Sequence, residues 1–344
     1  MKLITFAVPS YNSQDYMRHC IDTLLTGGDE VEIVIVNDGS KDDTGKIADE
    51  YAAKYPDIVI PVHQENGGHG SGVNAGIQHA KGLYYKVVDS DDWLDVDSLK
   101  KVLDTIRAHV EQKIEADMYI CNYVYEHVSD NTSHVSHYRA KMPTDRFFGW
   151  DEVKSFSKWE VMMMHALIYK VDKLRESGIC LPRHTFYVDN IFAYQPLPFM
   201  KKLYYIDVDM YRYFIGRSDQ SVNINNMTKR YDQQIRVMQI MTDAYTYDYI
   251  MAQPKGLRKY MFHDLSAIMM NTLFFASGGK DNIENRKALL KGLWKHIKET
   301  DPKLYGKLRY RSMPAIIAWM PFKMMGVVST IGYKFLCKVV KLGQ

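Results

Sequence analysis

The sequence predicts an α/β fold: a mostly parallel sheet with helices on both faces, followed by a C-terminal helical region. Three observations lead there. Over residues 1–115 short apolar runs rich in β-branched residues alternate with stretches of 3.6-residue periodicity. Those runs are apolar throughout, as strands buried on both faces are. Residues 228–299 carry helical periodicity alone.

Taken in order, Leu3–Val8 and Val31–Val36 read as strands. Between them Ser13 can cap a helix whose apolar stripe is Tyr16, Met17, Cys20, Ile21, Leu24 and Leu25. A helix over about 43–54, a strand Ile58–His63, a Gly-rich turn with a helix over 70–81 and a strand Leu83–Val88 follow. The helix over 96–110 puts Leu99, Val102, Leu103, Ile106 and Val110 on one side. This β-α-β alternation implies parallel strands joined by crossovers. Met118–His127 and Ser133–Met142 read as a hairpin around Ser129-Asp130-Asn131. Helices are expected over 228–253, 256–277 and 281–299, divided at Gln253-Pro254-Lys255-Gly256 and Gly278-Gly279. The organisation expected is a catalytic domain over 1–225, a helical subdomain over 226–301 and a basic tail over 302–344.

With 344 residues, 46% hydrophobic and 25% charged, the chain has the balance of a globular protein with a sizeable core. Its charge is unevenly placed. Eight cations and no acid follow Asp301, which leaves 36 basic against 41 acidic groups before them, a net of −5. No nucleic-acid partner is expected of such a body. Cys20, Cys121, Cys180 and Cys337 lack metal spacing, and Lys2 leads straight into the first strand without a signal-like segment. Reduced thiols in a cytoplasmic protein are the expectation.

Ligands of open parallel sheets bind at the carboxyl ends of the strands. Three strand ends carry turn-forming polar residues: Val8-Pro9-Ser10-Tyr11-Asn12, Val36-Asn37-Asp38-Gly39-Ser40 and Val88-Asp89-Ser90-Asp91-Asp92-Trp93. Each alone reads as a turn; together they mark one edge. Three carboxylates within four residues repel one another and call for positive charge. A hard divalent cation, Mn²⁺ or Mg²⁺, supplies it and shares its shell with phosphate oxygens. Helix capping is the alternative use, and Asp95 or Asp97 can meet it, which points to Asp89 and Asp91 for metal. The segment Gly70-Ser71-Gly72-Val73-Asn74-Ala75 also fits the dinucleotide pattern G-x-G-x-x-A, with Asp92 twenty residues beyond Gly72. That fingerprint needs its first glycine directly after a strand, whereas Gln64–His69 intervene here.

These segments, with Glu65-Asn66-Gly67-Gly68, resemble the serial motifs of family 2 glycosyltransferases with the GT-A fold, over about residues 1–115. The resemblance implies an inverting enzyme of bacterial cell-surface glycan assembly. It implies that Pro9 and Tyr11 line the nucleobase and ribose pocket and that Asp38 accepts a hydrogen bond from the base. It further implies that Asn66, Gly67, Asn74 and Ser90 belong to the donor site. Asp89 and Asp91 become the D-x-D pair on ribose and on the diphosphate's cation. Many members have Arg where Val73 stands.

Inverting transfer needs a carboxylate to take the acceptor's proton. Asp189, closing Phe186-Tyr187-Val188, resembles the family's acidic base motif, with Val188 in place of its usual Glu; helix capping is its bland reading. Arg212, Arg217 and Ser221 are read either as a loop closing over donor phosphates or as surface salt bridging. His69, His165 and His184 show no ligand spacing and read as ordinary polar residues.

In the tail, the uncharged runs 312–322 and 324–333 are 11 and 10 residues long, short of the roughly 18 needed to span a bilayer. A helix over 322–341 gathers Lys323, Lys334, Lys338 and Lys341 into one stripe beside Met324, Met325, Val328 and Ile331. It reads as an interfacial helix on an anionic membrane, or as a helix docked on the protein's own core. The expectation is therefore a cytoplasmic enzyme, peripheral at the inner face of the cell membrane. It would move a sugar, from a UDP-sugar above other donors, to a glycan or lipid-linked acceptor. A GT-A-like nucleotidyltransferase and a non-catalytic scaffold are the alternatives.

Overall fold

The computed structural model describes residues 1–127, 131–158, 160–215 and 224–340. Its chain separates into two compact units: residues 1–126, 130–153 and 162–214 form the first, and 127–129, 154–161 and 215–344 the second.

In the first unit, β1 (Ile4–Ser10) runs parallel to β2 (Val31–Asp38), from Ile4 against Val31 to Ser10 against Asn37. β3 (Val59–Gln64) lies parallel on β2, and β4 (Tyr84–Val87) parallel on the far side of β1. β1 and β2 are buried almost throughout, which is why both read as uninterrupted apolar runs. The helices α1 (Met17–Leu25), α2 (Thr44–Lys54), α3 (His69–His79) and α4 (Val96–Glu111) connect and flank these strands. Asp95 caps α4 by accepting the Ser98 N–H at 3.0 Å. α3 approaches β1 at glycines: a Cβ on Gly76 would stand 2.5 Å from that of Ala7, and one on Gly72 2.9 Å from that of Pro9. The Gly-rich stretch thus serves close helix–strand packing.

Six more strands complete the sheet: β5 (Trp93–Leu94), β6 (Met118–His127), β7 (Thr132–Ser136), β8 (Phe147–Phe148), β9 (Leu167–Lys170) and β10 (Leu203–Ile215). The order is β3-β2-β1-β4-β9-β6-β10-β5, with β7 on β6 and β8 on β10. Beyond β4 the direction changes, because β9 is antiparallel to both β4 and β6. Two short helices, α5 (Val171–Glu176) and α6 (Asp189–Tyr194), follow β9.

Two local expectations are corrected here. Ser13 does not cap α1 through its side chain: its carbonyl takes the Tyr16 and Met17 N–H groups, and its hydroxyl meets that of Ser90 at 2.7 Å. The strand expected over 133–142 ends at Ser136, because the chain turns at Tyr138, whose carbonyl accepts from Lys141 and Met142.

The second unit is helical: α7 (Ile224–Lys229), α8 (Tyr231–Ala244), α9 (Tyr247–Ala252), α10 (Lys255–Gly278), α11 (Ile283–Thr300), α12 (Pro302–Tyr310), α13 (Pro314–Ala318) and α14 (Phe322–Val340). The single helix expected over 228–253 is divided, since Thr246 caps α9 by accepting the Tyr249 N–H. α10 is buried nearly all round, and its Ser266, Thr272 and Ser277 hydroxyls bond back to carbonyls one turn earlier. Arg286, fully buried, donates to the Phe275 carbonyl and pairs with Asp281 while lying 3.9 Å from the Tyr231 ring. α14 packs on α10, with Gly326 against the Ser277 carbonyl, and its Met325 and Ser329 are buried. Its Met324, Val327 and Ile331 stay exposed, as do Ile316 and Trp319 just before it.

Candidate functional site

The edge formed by the carboxyl ends of β1, β2 and β4 collects the expected segments. Asp38, at the end of β2, is buried, and its carboxylate accepts the Gly67 N–H (2.9 Å), the Gly68 N–H (2.7 Å) and the Gln64 side chain (2.6 Å). Asn66 returns the favour by donating to the Asp38 carbonyl at 2.9 Å. An ionised carboxylate offers roughly four acceptor positions, so three are already engaged. Asp38 therefore shapes the glycine turn before any ligand arrives. Gly68 at φ +83° needs its missing side chain, because a Cβ would stand 3.1 Å from the His184 backbone nitrogen.

That turn launches His69 at the start of α3. Its Nε2 lies 2.7 Å from Asp89 Oδ1. Burial by itself would lower the His69 pKa, but Asp89, Asp189 and Asp91 together hold it above the ordinary imidazole value. For Asp89 burial works upward, and His69, His165 and Lys86 outweigh it, keeping the carboxyl below its usual range. Asp92 behaves oppositely. It is 1% exposed, and burial with the neighbouring Asp91 and Asp89 charges pushes its pKa far up, against the bonds from Tyr211 and Phe214. Its Oδ2 accepts from the Tyr211 hydroxyl at 2.6 Å and its Oδ1 from the Phe214 N–H at 2.8 Å. An acid so enclosed is no ribose ligand, which removes the dinucleotide reading.

Asp189 opens α6 without capping it. Burial raises its pKa, with Asp89 adding to the rise and His69 opposing it. The segment before it is strained, with His184 at φ 49° and Tyr187 at φ 64°. It is held by the His184 N–H on the Gly67 carbonyl at 2.6 Å. Asn74 adds a second tie, its Nδ2 donating to the Leu181 carbonyl and its Oδ1 accepting the Leu181 N–H, both at 2.9 Å.

Among the expected residues, Asp89, Asp91 and Asp189 thus share the field of His69. Pro9 is buried against Gly72, and Tyr11 is half-exposed at the end of β1. Ser90 is buried on Ser13, and Asn74 is engaged with the Leu181 backbone. Arg212 sits within β10, bridging Asp95 (3.0 Å) and Glu126 (2.9 Å), so of its two readings salt bridging is the one observed. Arg217 and Ser221 lie outside the described residues.

Two histidines read as ordinary polar residues are corrected. His69 pairs with Asp89, and His165 is buried with Nε2 3.9 Å from Asp89 Oδ2. One ligand atom each from Asp89, Asp92 and His165 lie within 4.8 Å of one another, a group that can hold a divalent cation. Asp91 is not in that group. Behind it stands Lys86, fully buried, donating to the His165 carbonyl at 2.5 Å. Burial lowers the Lys86 pKa to about 8. Nothing in the Met162-Met163-Met164 run announces His165. Lys86 did leave a signal, as a charge inside the strand Tyr84–Val87.

An acidic cluster at the open edge of a parallel half-sheet, faced by a carboxyl of raised pKa, is the layout of a GT-A fold. Solved structures agree on that fold. TarS of S. aureus (residues 1–349) superposes with a TM-score of 0.63 at 18% identity, over 96% of this chain and 89% of that one. The mannosyltransferase PcManGT of Pyrobaculum calidifontis, in complex with GDP-Man and Mn²⁺, superposes with a TM-score of 0.52 at 13% identity, over 95% and 86%. Residues 5–174 match the profile of the family described as "Glycosyl transferase family 2", and the chain carries a family 2 glycosyltransferase domain. Among relatives, EpsH of Bacillus subtilis (strain 168) is 28% identical over 239 residues, 67% of this chain and 64% of EpsH. The chain thus spans less than two thirds of that relative's length.

Proposed function

We propose that this protein is an inverting glycosyltransferase moving a sugar from a nucleotide diphosphate, a UDP-sugar above other donors, to a hydroxyl of a glycan or lipid-linked acceptor. The observation that supports this reading is His69, whose Nε2 lies 2.7 Å from Asp89 Oδ1 and whose pKa is raised by Asp89 and Asp189 alike, so that the acid cluster and the acid of α6 act on one imidazole. TarS binds UDP-GlcNAc in a related structure (TM-score 0.53, 17% identity) and PcManGT binds GDP-Man, which supports a nucleotide-sugar donor; uracil as its base rests on the family resemblance.

In this reading Pro9, Tyr11 and the Asn66–Gly67 turn receive base and ribose, with Asp38 holding the turn. Asp89 and Asp91 would hold Mn²⁺ or Mg²⁺, a cation that would supply positive charge opposite the departing diphosphate. Ser90 fixes the carboxylate segment through Ser13. Arg217 would contact the diphosphate. Asp189 accepts the acceptor hydroxyl's proton as that oxygen attacks the anomeric carbon. Its raised pKa strengthens it as a base at neutral pH.

The tail extends the reading to membranes. No helix among the described residues is long and apolar enough to cross one. The exposed Ile316, Trp319, Met324, Val327 and Ile331, in a segment with cations and no acid, suit an anionic interface at the cytoplasmic face of the cell membrane.

The Asp189→Asn variant tests the chemistry. Transfer should fall by about 10²–10⁴-fold while UDP affinity changes less than about twofold. A matching loss of UDP affinity refutes the base assignment. Removing 312–344 should abolish co-sedimentation with phosphatidylglycerol vesicles, and unchanged co-sedimentation refutes the interfacial tail.

A further inference from the structure

We propose that His165 supplies a nitrogen ligand to the cation held by Asp89, so that this site favours first-row transition-metal ions over Mg²⁺. The inference rests on the reading that Asp89 binds a cation, and it adds the ligand that decides which one.

Asp89 divides its two oxygens. Oδ1 is bonded to His69, whereas Oδ2 faces His165 Nε2 across 3.9 Å. That gap is too long for a hydrogen bond. Two metal bonds of about 2.1 Å each can span it. The ring is placed for a purpose that its own contacts do not explain. It is 4% exposed, and its Nδ1 is buried without any hydrogen-bond partner. The unpaired nitrogen is not the one facing Asp89: with Nε2 offered to a cation beside Asp89 Oδ2, Nδ1 carries the ring proton.

The imidazole is nevertheless held firmly. Tyr213 stacks on it at 4.5 Å between centroids, and Tyr211 meets it edge-on at 4.6 Å. Lys86 pins the backbone beneath it, donating to the His165 carbonyl and, at 3.5 Å, to that of Leu167. Asp92 is the competing third ligand in the same group. Both of its oxygens already accept protein hydrogen bonds, which leaves His165 better placed to complete the shell.

The chemistry follows from the donor atom. Mg²⁺ takes oxygen ligands in near-ideal octahedra, while imidazole nitrogen raises affinity along the series from Mn²⁺ towards Co²⁺ and Ni²⁺. A carboxylate–imidazole site therefore discriminates against Mg²⁺ where a purely carboxylate site does not.

The test uses the full chain loaded with Mn²⁺ and electron spin-echo spectroscopy, which detects a coordinated ¹⁴N directly. The unmodified protein should show nitrogen modulation. His165→Gln should lose it and weaken Mn²⁺ binding by roughly 10-fold or more, with Mg²⁺ competition changed far less. His69→Asn should retain it. Absence of modulation in the unmodified protein overturns the proposal without recourse to any variant, and so does its loss in His69→Asn alone. Asp89→Asn separates the two readings. If it leaves Mn²⁺ binding intact, the cation assignment itself fails; if it removes binding while His165→Gln does not, only the nitrogen ligand fails.

Discussion

The parallel half-sheet of residues 1–115 and the antiparallel extension of residues 116–215 build the candidate site in opposite ways. In the first, each contribution is a short contiguous segment at a strand end, such as Asp38-Gly39 or Asp89–Asp92, and one edge collects them all. In the second, the contributions come singly. His165 precedes β9, Asp189 opens α6, and Tyr211 and Tyr213 lie along β10. A parallel βαβ unit returns every strand in the same direction, so its loops meet by construction. An antiparallel extension has no such rule, and its residues reach the site only through tertiary pairing.

This contrast can be broken or sharpened by substitution. The largest effect is expected at Asp38. Asp38→Ala removes the acceptor of two backbone N–H groups and the Gln64 amide, and should cost about 3 kcal/mol of stability with loss of most donor binding. Urea unfolding and UDP titration check both, and a neutral outcome would show that the turn folds without its acid. Gly76→Val forces a side chain onto Ala7 across the α3–β1 contact, and about 1–3 kcal/mol should be lost. Asn74→Ala releases the Leu181 backbone; about 1–2 kcal/mol is expected, with kcat reduced more than donor affinity. If donor affinity falls instead, Asn74 touches the nucleotide directly.

A separate effect, on pH dependence and not on the site, concerns the helical unit. Burial raises the Asp264 pKa to about 7, so the folded chain holds a proton that the unfolded chain has released. Stability should therefore decline as pH rises from about 4 to 7 and level off above. Asp264→Asn removes this dependence, raising Tm at pH 8 and changing it little at pH 4. Equal shifts at both pH values would rule out the titration.

Much of the first half was legible because its signals are local. Unbroken apolar runs marked β1 and β2, and the turn residues after β1, β2 and β4 marked the edge. The boundaries moved where side chains found distant partners: Ser13 turned to Ser90 and left α1 uncapped. The candidate cation group was half-legible. Asp89 and Asp92 both stood in the carboxylate cluster, although the spacing argument chose Asp91 beside Asp89, and His165 joins them from the segment before β9, which no spacing rule reports. His69 stood in plain view inside the glycine stretch, and only the Asp38 turn explains why it points at Asp89. Thr246 shows the same limit in the helical unit, where a cap interrupted an otherwise continuous pattern.

The ties from Gly67 to His184 and from Asn74 to Leu181 make two stretches of chain, more than a hundred positions apart, a single mechanical piece. Anyone transplanting the glycine turn from another enzyme to alter sugar choice would, without intending it, also shift the segment that leads to Asp189, the base proposed above. Successful chimaeras must exchange residues 64–75 and 180–190 as a matched cassette.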